Sequence, residues 1–294
     1  MVNVNFGELI EGGFRTWKSN FILCVPFILG MILSIVVVLA FMLPLFFAVL
    51  FPLIEQTILN PASMTGVEGF QQVMDVILQN LWLFIVVFAI MLILCGLIMS
   101  FFSAGAIGMA KEALLTGKTQ ISHMISYGKK KYLSYFGASL LAGLVMLVGV
   151  LFMLPGLISL FSNMTVLIEN PQDPSALTFL MPLLLGIFLG MIYLLPMSII
   201  LALVPYSVVV DDVGAMEGFR KGIQVMWHNK INVFVIWLII LVVGILASLF
   251  SLIPYIGSLI TLIITFLIVQ PLTFVWWSKL YMTLTKPTEN IASL

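Results

Sequence analysis

Residues 215–252 read AMEGFRKGIQVMWHNK followed by INVFVIWLIILVVGILASLFSL, and the join between these two halves decides the fold. The first half sets Met216, Phe219, Ile223 and Met226 at helical spacing opposite Glu217, Arg220, Lys221 and Gln224, the pattern of an amphipathic helix. The second half runs for 22 residues without an ionisable side chain. About 20 apolar residues cover a hydrocarbon core of roughly 30 Å, so Lys230 stands where a helix enters a bilayer.

Working outward, five more stretches qualify as spans, giving six in all near 21–43, 81–102, 136–160, 179–204, 231–252 and 255–277, none of which contains Asp, Glu, Lys, Arg or His. All 12 Lys and Arg fall on alternate connections between the runs. Arg15 and Lys18 precede the first run; Lys111, Lys118, Lys129, Lys130 and Lys131 lie between the second and third; Arg220, Lys221 and Lys230 between the fourth and fifth; Lys279 and Lys286 close the sixth. The opposite connections carry only acids, namely Glu55, Glu68, Asp75, Glu169 and Asp173. Basic connections stay cytoplasmic. The expectation is therefore an all-α polytopic protein of a prokaryotic cytoplasmic membrane, one six-span domain over 1–294 with both termini cytoplasmic.

Composition agrees, since 62% of residues are hydrophobic and 8% charged, against roughly 45–50% and 25% in soluble domains. A net charge of zero argues against nucleic acid as a partner, because duplex binding needs surplus Lys and Arg to replace counterions. The first apolar run continues from Phe21 to Ile54, too long for the 7–15 or so residues of a signal-peptide core, and reads as a retained helix. Cys24 and Cys95 lie inside apolar runs and read as small core residues rather than a disulfide or metal pair.

Aligning each amphipathic segment with the run that follows it points to a threefold internal repeat, over 6–105, 121–210 and 215–285. The copies start at Phe6, Ile121 and Ala215; Gly13, Gly128 and Gly222 align, as do Trp17, Tyr132 and Met226, and Asn20 meets Asn229. Pro44, Pro155 and Pro254 are then expected to close the first span of each pair, and Pro52, Pro182, Pro196 and Pro205 to mark kinks or span ends. The amphipathic helices are expected at headgroup level on the cytoplasmic side, with Phe6, Leu9, Ile10 and Trp17 on one face of the first and Ile121, Met124, Ile125 and Tyr132 on one face of the second. A further helix over about 104–116 stops at Gly117, Phe70, Val73, Ile77 and Leu81 indicate an interfacial helix on the outer side, and the stretch around Asn170, Pro171 and Pro174 reads as a loop. Trp17, Tyr132, Tyr135, Tyr206, Trp227, Trp276, Trp277 and Tyr281 read as an aromatic belt on the cytoplasmic side, with Trp82 on the outer one.

Each span also holds two small residues one turn apart: Gly30 and Ser34, Gly96 and Ser100, Ser139 and Gly143, Gly186 and Gly190, Gly244 and Ser248, Gly257 and Thr261. Such steps let helices approach closely, which points to a compact bundle within one chain.

Little in the sequence carries chemistry. Ion or proton coupling usually needs ionisable residues at membrane depth, and the deepest polar residues here are Gln270, Thr261, Thr265 and Ser198. Gln270 is expected to bond to a carbonyl freed by Pro271. The two histidines, His123 and His228, lie in cytoplasmic segments without ligand spacing, so no catalytic residue, metal site or cofactor is expected. Asp211 and Asp212 precede a helix start and read as caps. Asn163-Met-Thr is a formal glycosylation acceptor set too near the membrane to count. The basic cytoplasmic surface remains. Lys129, Lys130, Lys131, Arg220, Lys221 and Lys230 either fix topology or form a shelf for anionic lipid headgroups, each charge there being worth about 1 kcal/mol.

The run VDDVGAMEGFRKG at 210–222, with Trp227-His-Asn-Lys and a new span after it, resembles the membrane domain attached to some glycerophosphoryl diester phosphodiesterases and related, mostly uncharacterised six-span membrane proteins of archaea and bacteria, and so does Ser103 through Gly117 to Pro155-Gly156. These motifs mark helix starts, not an active site. The chain holds nothing that could serve as the phosphodiesterase catalytic domain, so the resemblance implies an accessory or stand-alone membrane module and no activity. Two functions stay open: a non-enzymatic module that binds or organises lipid or a partner membrane protein, and a permease or channel for a small or amphipathic solute.

Overall fold

The computed structural model describes residues 4–59, 66–163 and 175–285, and these are all-helical, with six helices long and apolar enough to cross a membrane. Lys286, Glu169, Asp173 and the loop around Asn170, Pro171 and Pro174 lie outside the described residues. In chain order the helices are α1 (Phe6–Ser19), α2 (Val25–Leu45), α3 (Phe51–Leu59), α4 (Gly66–Gln79), α5 (Leu81–Thr116), α6 (Ile121–Leu151), α7 (Leu154–Ser162), α8 (Ser175–Leu201), α9 (Val204–Val210), α10 (Ala215–His228), α11 (Lys230–Ser248), α12 (Gly257–Ile264) and α13 (Gln270–Thr285).

The chain divides into two compact units. One comprises Met1–Leu33, Gly96–Leu144 and Pro196–Leu294; the other comprises Ser34–Cys95 and Val145–Leu195. Every Lys and Arg among the described residues belongs to the first.

In the second unit glycines set the spacing of α6, α7 and α8. A Cβ at Gly186 would strike the Phe152 carbonyl, one at Gly156 the backbone of Leu183, and one at Gly190 would lie 3.0 Å from the Gly149 carbonyl. The Tyr193 hydroxyl donates to the Val145 carbonyl at 2.9 Å. The small steps at Gly186 and Gly190 are thus used within the chain. So are those in the first unit at Gly30, beside Met99 and Phe102, and at Gly96, beside Phe136. Gly143 and Gly244 have nothing within 4 Å of an added Cβ among the described residues.

Several expected boundaries differ. The span at 81–102 and the helix at 104–116 are one helix, α5, because Gly105 and Gly108 are tolerated where the helix is packed against Met124 and Tyr127 of α6. It ends at Gly117, in the left-handed region at φ +77°, as its sequence predicts. The second amphipathic segment is likewise continuous with its span in α6. Of the three prolines expected to close spans, Pro254 does lie in a turn; Pro44 sits inside α2 and Pro155 opens α7, where a missing N–H costs nothing.

Two π-helical turns, Phe46–Leu50 and Thr265–Val269, each stand one residue before a proline, Pro52 and Pro271. Proline cannot donate and its ring crowds the carbonyl a turn earlier, so the helix takes in an extra residue there. The carbonyl that Pro271 would have engaged, that of Leu267, accepts instead from the Trp17 indole at 3.1 Å and the Cys24 thiol at 3.0 Å. Trp17 and Cys24, and not Gln270, satisfy it.

The aromatic residues of the expected belt divide. Trp227 is exposed, but Trp17, Tyr206, Trp276, Trp277 and Tyr281 are buried and, with Leu9, Val209 and Leu280, form the core of the first unit. The Trp17 and Trp276 indoles donate to the Leu267 and Ile10 carbonyls, at 3.1 and 3.2 Å. The apolar face of α1 is used the same way, with Leu9, Gly13 and Trp17 buried in this unit; in α10 the buried stripe is Gly218, Gly222 and Met226, turned from the expected face, whose Met216 is exposed.

Candidate functional site

The three glycines that align in the sequence have one job in the structure. An added Cβ at Gly13 would strike the Trp276 ring; at Gly128 it would lie 2.9 Å from the Phe101 ring and 3.0 Å from its carbonyl; at Gly222 it would lie 2.6 Å from Val204 Cα. Each glycine is thus the point where an amphipathic segment meets a helix of another span. Asn20 and Asn229, also aligned, each end their helix by donating a side-chain N–H to the carbonyl four residues back, Thr16 and Val225, at 3.0 and 3.1 Å. Asn20 further accepts from the Thr119 N–H at 3.0 Å.

These packings bring the ends of α5, α6, α9, α10 and α13 together, and four lysines converge there on four consecutive residues, 210–213. Lys111 donates to the Val210 carbonyl at 2.9 Å. Lys221 pairs with the Asp211 carboxylate at 2.8 Å, and the Tyr281 hydroxyl donates to that same carboxylate at 2.5 Å. Asp212 bridges Lys130 and Lys131, the latter at 2.7 Å, and Lys131 also donates to the Val213 carbonyl at 3.1 Å. Beside them the Tyr127 hydroxyl donates to Glu112 at 2.7 Å.

Two acids therefore act as counter-ions where caps are expected. Asp211 is the residue that closes α9, its N–H bonded to the Ser207 carbonyl, and Asp212 follows at φ +61°, a conformation Asp tolerates better than most residues. Gly214, without a side chain to offer, stands at the start of α10. Hydrogen bonds from Lys130 and then Lys131 hold the Asp212 carboxyl below its usual range.

The six candidate headgroup residues separate into two sets. Lys130, Lys131 and Lys221 are paired with Asp211 and Asp212. Lys129, Arg220 and Lys230 are exposed and form no ion pair among the described residues. Lys230 lies over the exposed Trp227 ring, 4.1 Å from its centroid. The roles of Lys111, Tyr281 and the two aspartates were not legible in the residues alone, although the Asp-Asp pair before a glycine was a signal of a tight turn. The Gly218-x-x-x-Gly222 spacing in α10 was another, and the structure explains it through α9, whose Ser207 hydroxyl donates to the Gly218 carbonyl at 2.5 Å.

Among the described residues no three His, Cys, Asp or Glu side chains are placed to hold a metal ion. His228 is turned back on its own helix, its Nδ1 2.8 Å from the Gln224 carbonyl.

The sequence profile of a family described as a domain of unknown function, DUF7847, matches residues 82–284. The chain belongs to the DUF7847 family. The matched region of this DUF7847 protein takes in the whole lysine and aspartate cluster. An uncharacterized protein of Archaeoglobus fulgidus is 27% identical over 291 residues, covering 93% of this chain and 94% of its own length. No solved structure matches.

Proposed function

We propose that this multi-pass membrane protein is a non-enzymatic module that binds anionic lipid on the cytoplasmic face of a prokaryotic cytoplasmic membrane, with both termini in the cytoplasm. The observation that carries this reading is the set Lys129, Arg220 and Lys230, three exposed cations without a carboxylate partner among the described residues, of which Lys230 lies over the exposed Trp227 ring. Cations placed beside a span attract anionic headgroups, and an exposed indole prefers the same depth. The charge asymmetry of the connections supports the orientation. The aligned roles of Gly13, Gly128 and Gly222 support a threefold repeat, and the 210–222 motif supports an accessory module of the kind it resembles.

The test is lipid selectivity in nanodiscs, comparing phosphatidylglycerol with phosphatidylcholine of the same chains. Substituting Lys129→Gln, Arg220→Gln and Lys230→Gln together is expected to lower the preference for phosphatidylglycerol by about tenfold. An unchanged preference in correctly inserted protein would overturn the lipid reading. Solute flux into liposomes in that case would favour the permease, a reading that the π-turn in the sixth span and the buried, unpartnered Ser278 hydroxyl support. A reporter fused after the last residue should be active in the cytoplasm alone; activity on the other side would reverse the orientation.

A further inference from the structure

We propose that Asp212 is a built-in competitor for a phosphate-binding site formed by Lys130 and Lys131, displaced when a phosphate group, of a lipid or free in solution, takes its place. The inference rests on the lipid-binding reading and adds to it a regulated pair of cations that the exposed set does not include.

Four observations carry it. One carboxylate spans two neighbouring ammonium groups, the arrangement in which a phosphate also binds, since it offers several acceptor oxygens to separate donors. The two lysines are unequal: the Lys131 side chain is only 8% exposed and Lys130 62%. A buried ammonium needs an anion beside it whichever anion that is, so the site cannot be left empty without cost. The Asp212 side chain is itself 48% exposed, so it can be reached from solvent. Finally, the turn is secured without it: Lys111 holds the Val210 carbonyl, Lys221 and Tyr281 hold Asp211, and Lys131 holds the Val213 carbonyl. Asp212 is therefore free to swing away while the backbone on both sides stays fixed.

Exchange proceeds by substitution of one anion for another, with no covalent step. When the phosphate enters, the Asp212 carboxylate moves into water and the two ammonium groups exchange one internal negative charge for that of the incoming anion. A weak carboxylate competitor sets a threshold, so occupancy rises only at high local density of phosphate groups, as on an anionic leaflet.

The experiment compares the full-length wild type with Asp212→Asn, Asp212→Gly and Asp212→Glu in phosphatidylcholine nanodiscs. Glycine adopts a positive φ without strain, which keeps the turn folded should asparagine disturb it. One arm titrates phosphatidylglycerol and reads retained lipid by native mass spectrometry; the other titrates inorganic phosphate and reads binding by calorimetry. Asp212→Asn and Asp212→Gly are expected to bind roughly three- to tenfold tighter than wild type, Asp212→Glu to resemble wild type, and Lys131→Gln to erase the gain when added to Asp212→Gly. A gain with phosphatidylglycerol alone assigns a headgroup; a gain with inorganic phosphate as well assigns the free ion. If both carboxylate-free variants bind like wild type in both arms while the Lys129, Arg220 and Lys230 substitutions still abolish lipid preference, the competitor is overturned and the lipid-binding reading stands. If wild type shows no preference and no variant gains any, both fall.

Discussion

Replacing Gly222 by alanine is expected to destabilise the protein by about 2–3 kcal/mol, the usual cost of overpacking. The added Cβ would meet backbone on the facing helix, 2.6 Å from Val204 Cα, 2.8 Å from Val204 N and 3.0 Å from Leu203 C. A side chain could rotate out of the way, but α9 cannot retreat: Val204, Val208, Val209 and Val210 are buried and Ser207 is bonded across to Gly218. Alanine is better than glycine in a helix by up to about 1 kcal/mol, so the net loss is smaller than the clash itself. Gly143 and Gly244 provide the control, because a Cβ there has nothing within 4 Å; Gly143→Ala and Gly244→Ala should be neutral or stabilising by about 0.5–1 kcal/mol. Thermal unfolding of the purified variants in mild detergent measures all three. A Gly222→Ala protein as stable as wild type would show that α9 and α10 are not in close contact.

Removing the carboxylate of Asp211 is the second large effect. Asp211→Ala strands the hydroxyl of Tyr281, which is fully buried, and a buried donor left unmet costs about 1–3 kcal/mol. It also takes the counter-ion from Lys221, whose side chain is 42% exposed and so recovers most of its solvation from water. The expected total is about 2–3 kcal/mol. Asp211→Asn keeps an oxygen that can accept from Tyr281 and should cost about half as much. Tyr281→Phe removes the donor and leaves Asp211 its lysine, so adding it to Asp211→Ala should cost little more than Asp211→Ala alone. Denaturant or thermal unfolding of the four proteins completes the cycle, and fully additive losses would mean that Tyr281 and Asp211 do not interact.

Much of the architecture can be read directly from the chain. Five of the six spans begin or end near their expected residue, and α1 and α10 start at Phe6 and Ala215; the third, expected at 136–160, instead runs from Ile121 to Leu151, its last expected turns belonging to α7. The glycines that align are those where helices meet. Gln270 shows where such reading stops. Its neighbour Pro271 frees a carbonyl, and a local rule assigns the nearest donor; the donors that arrive, Trp17 and Cys24, lie some 240 to 250 residues earlier in the chain. The tryptophans and tyrosines near the basic connections fail for a related reason. A ring that is apolar on its body and polar at its tip suits the headgroup region and suits a core with a carbonyl at hand, and hydropathy values the two alike.

The sequence by itself determined the number of spans, the connections that carry the positive charge and the residues at which the amphipathic segments start. Each of these is decided residue by residue, by the cost of placing a charge, a backbone group or a methylene in hydrocarbon rather than water, and that cost does not depend on what the rest of the chain does. Only the tertiary structure decided which cations are free. Lys130 and Lys131 stand 82 and 81 residues before Asp212, and Lys129, adjacent in sequence and identical in chemistry, points elsewhere on the same helix. The charge of a lysine is local, but whether a carboxylate neutralises it depends on helix rotation and on the close approach that glycine permits between α9 and α10.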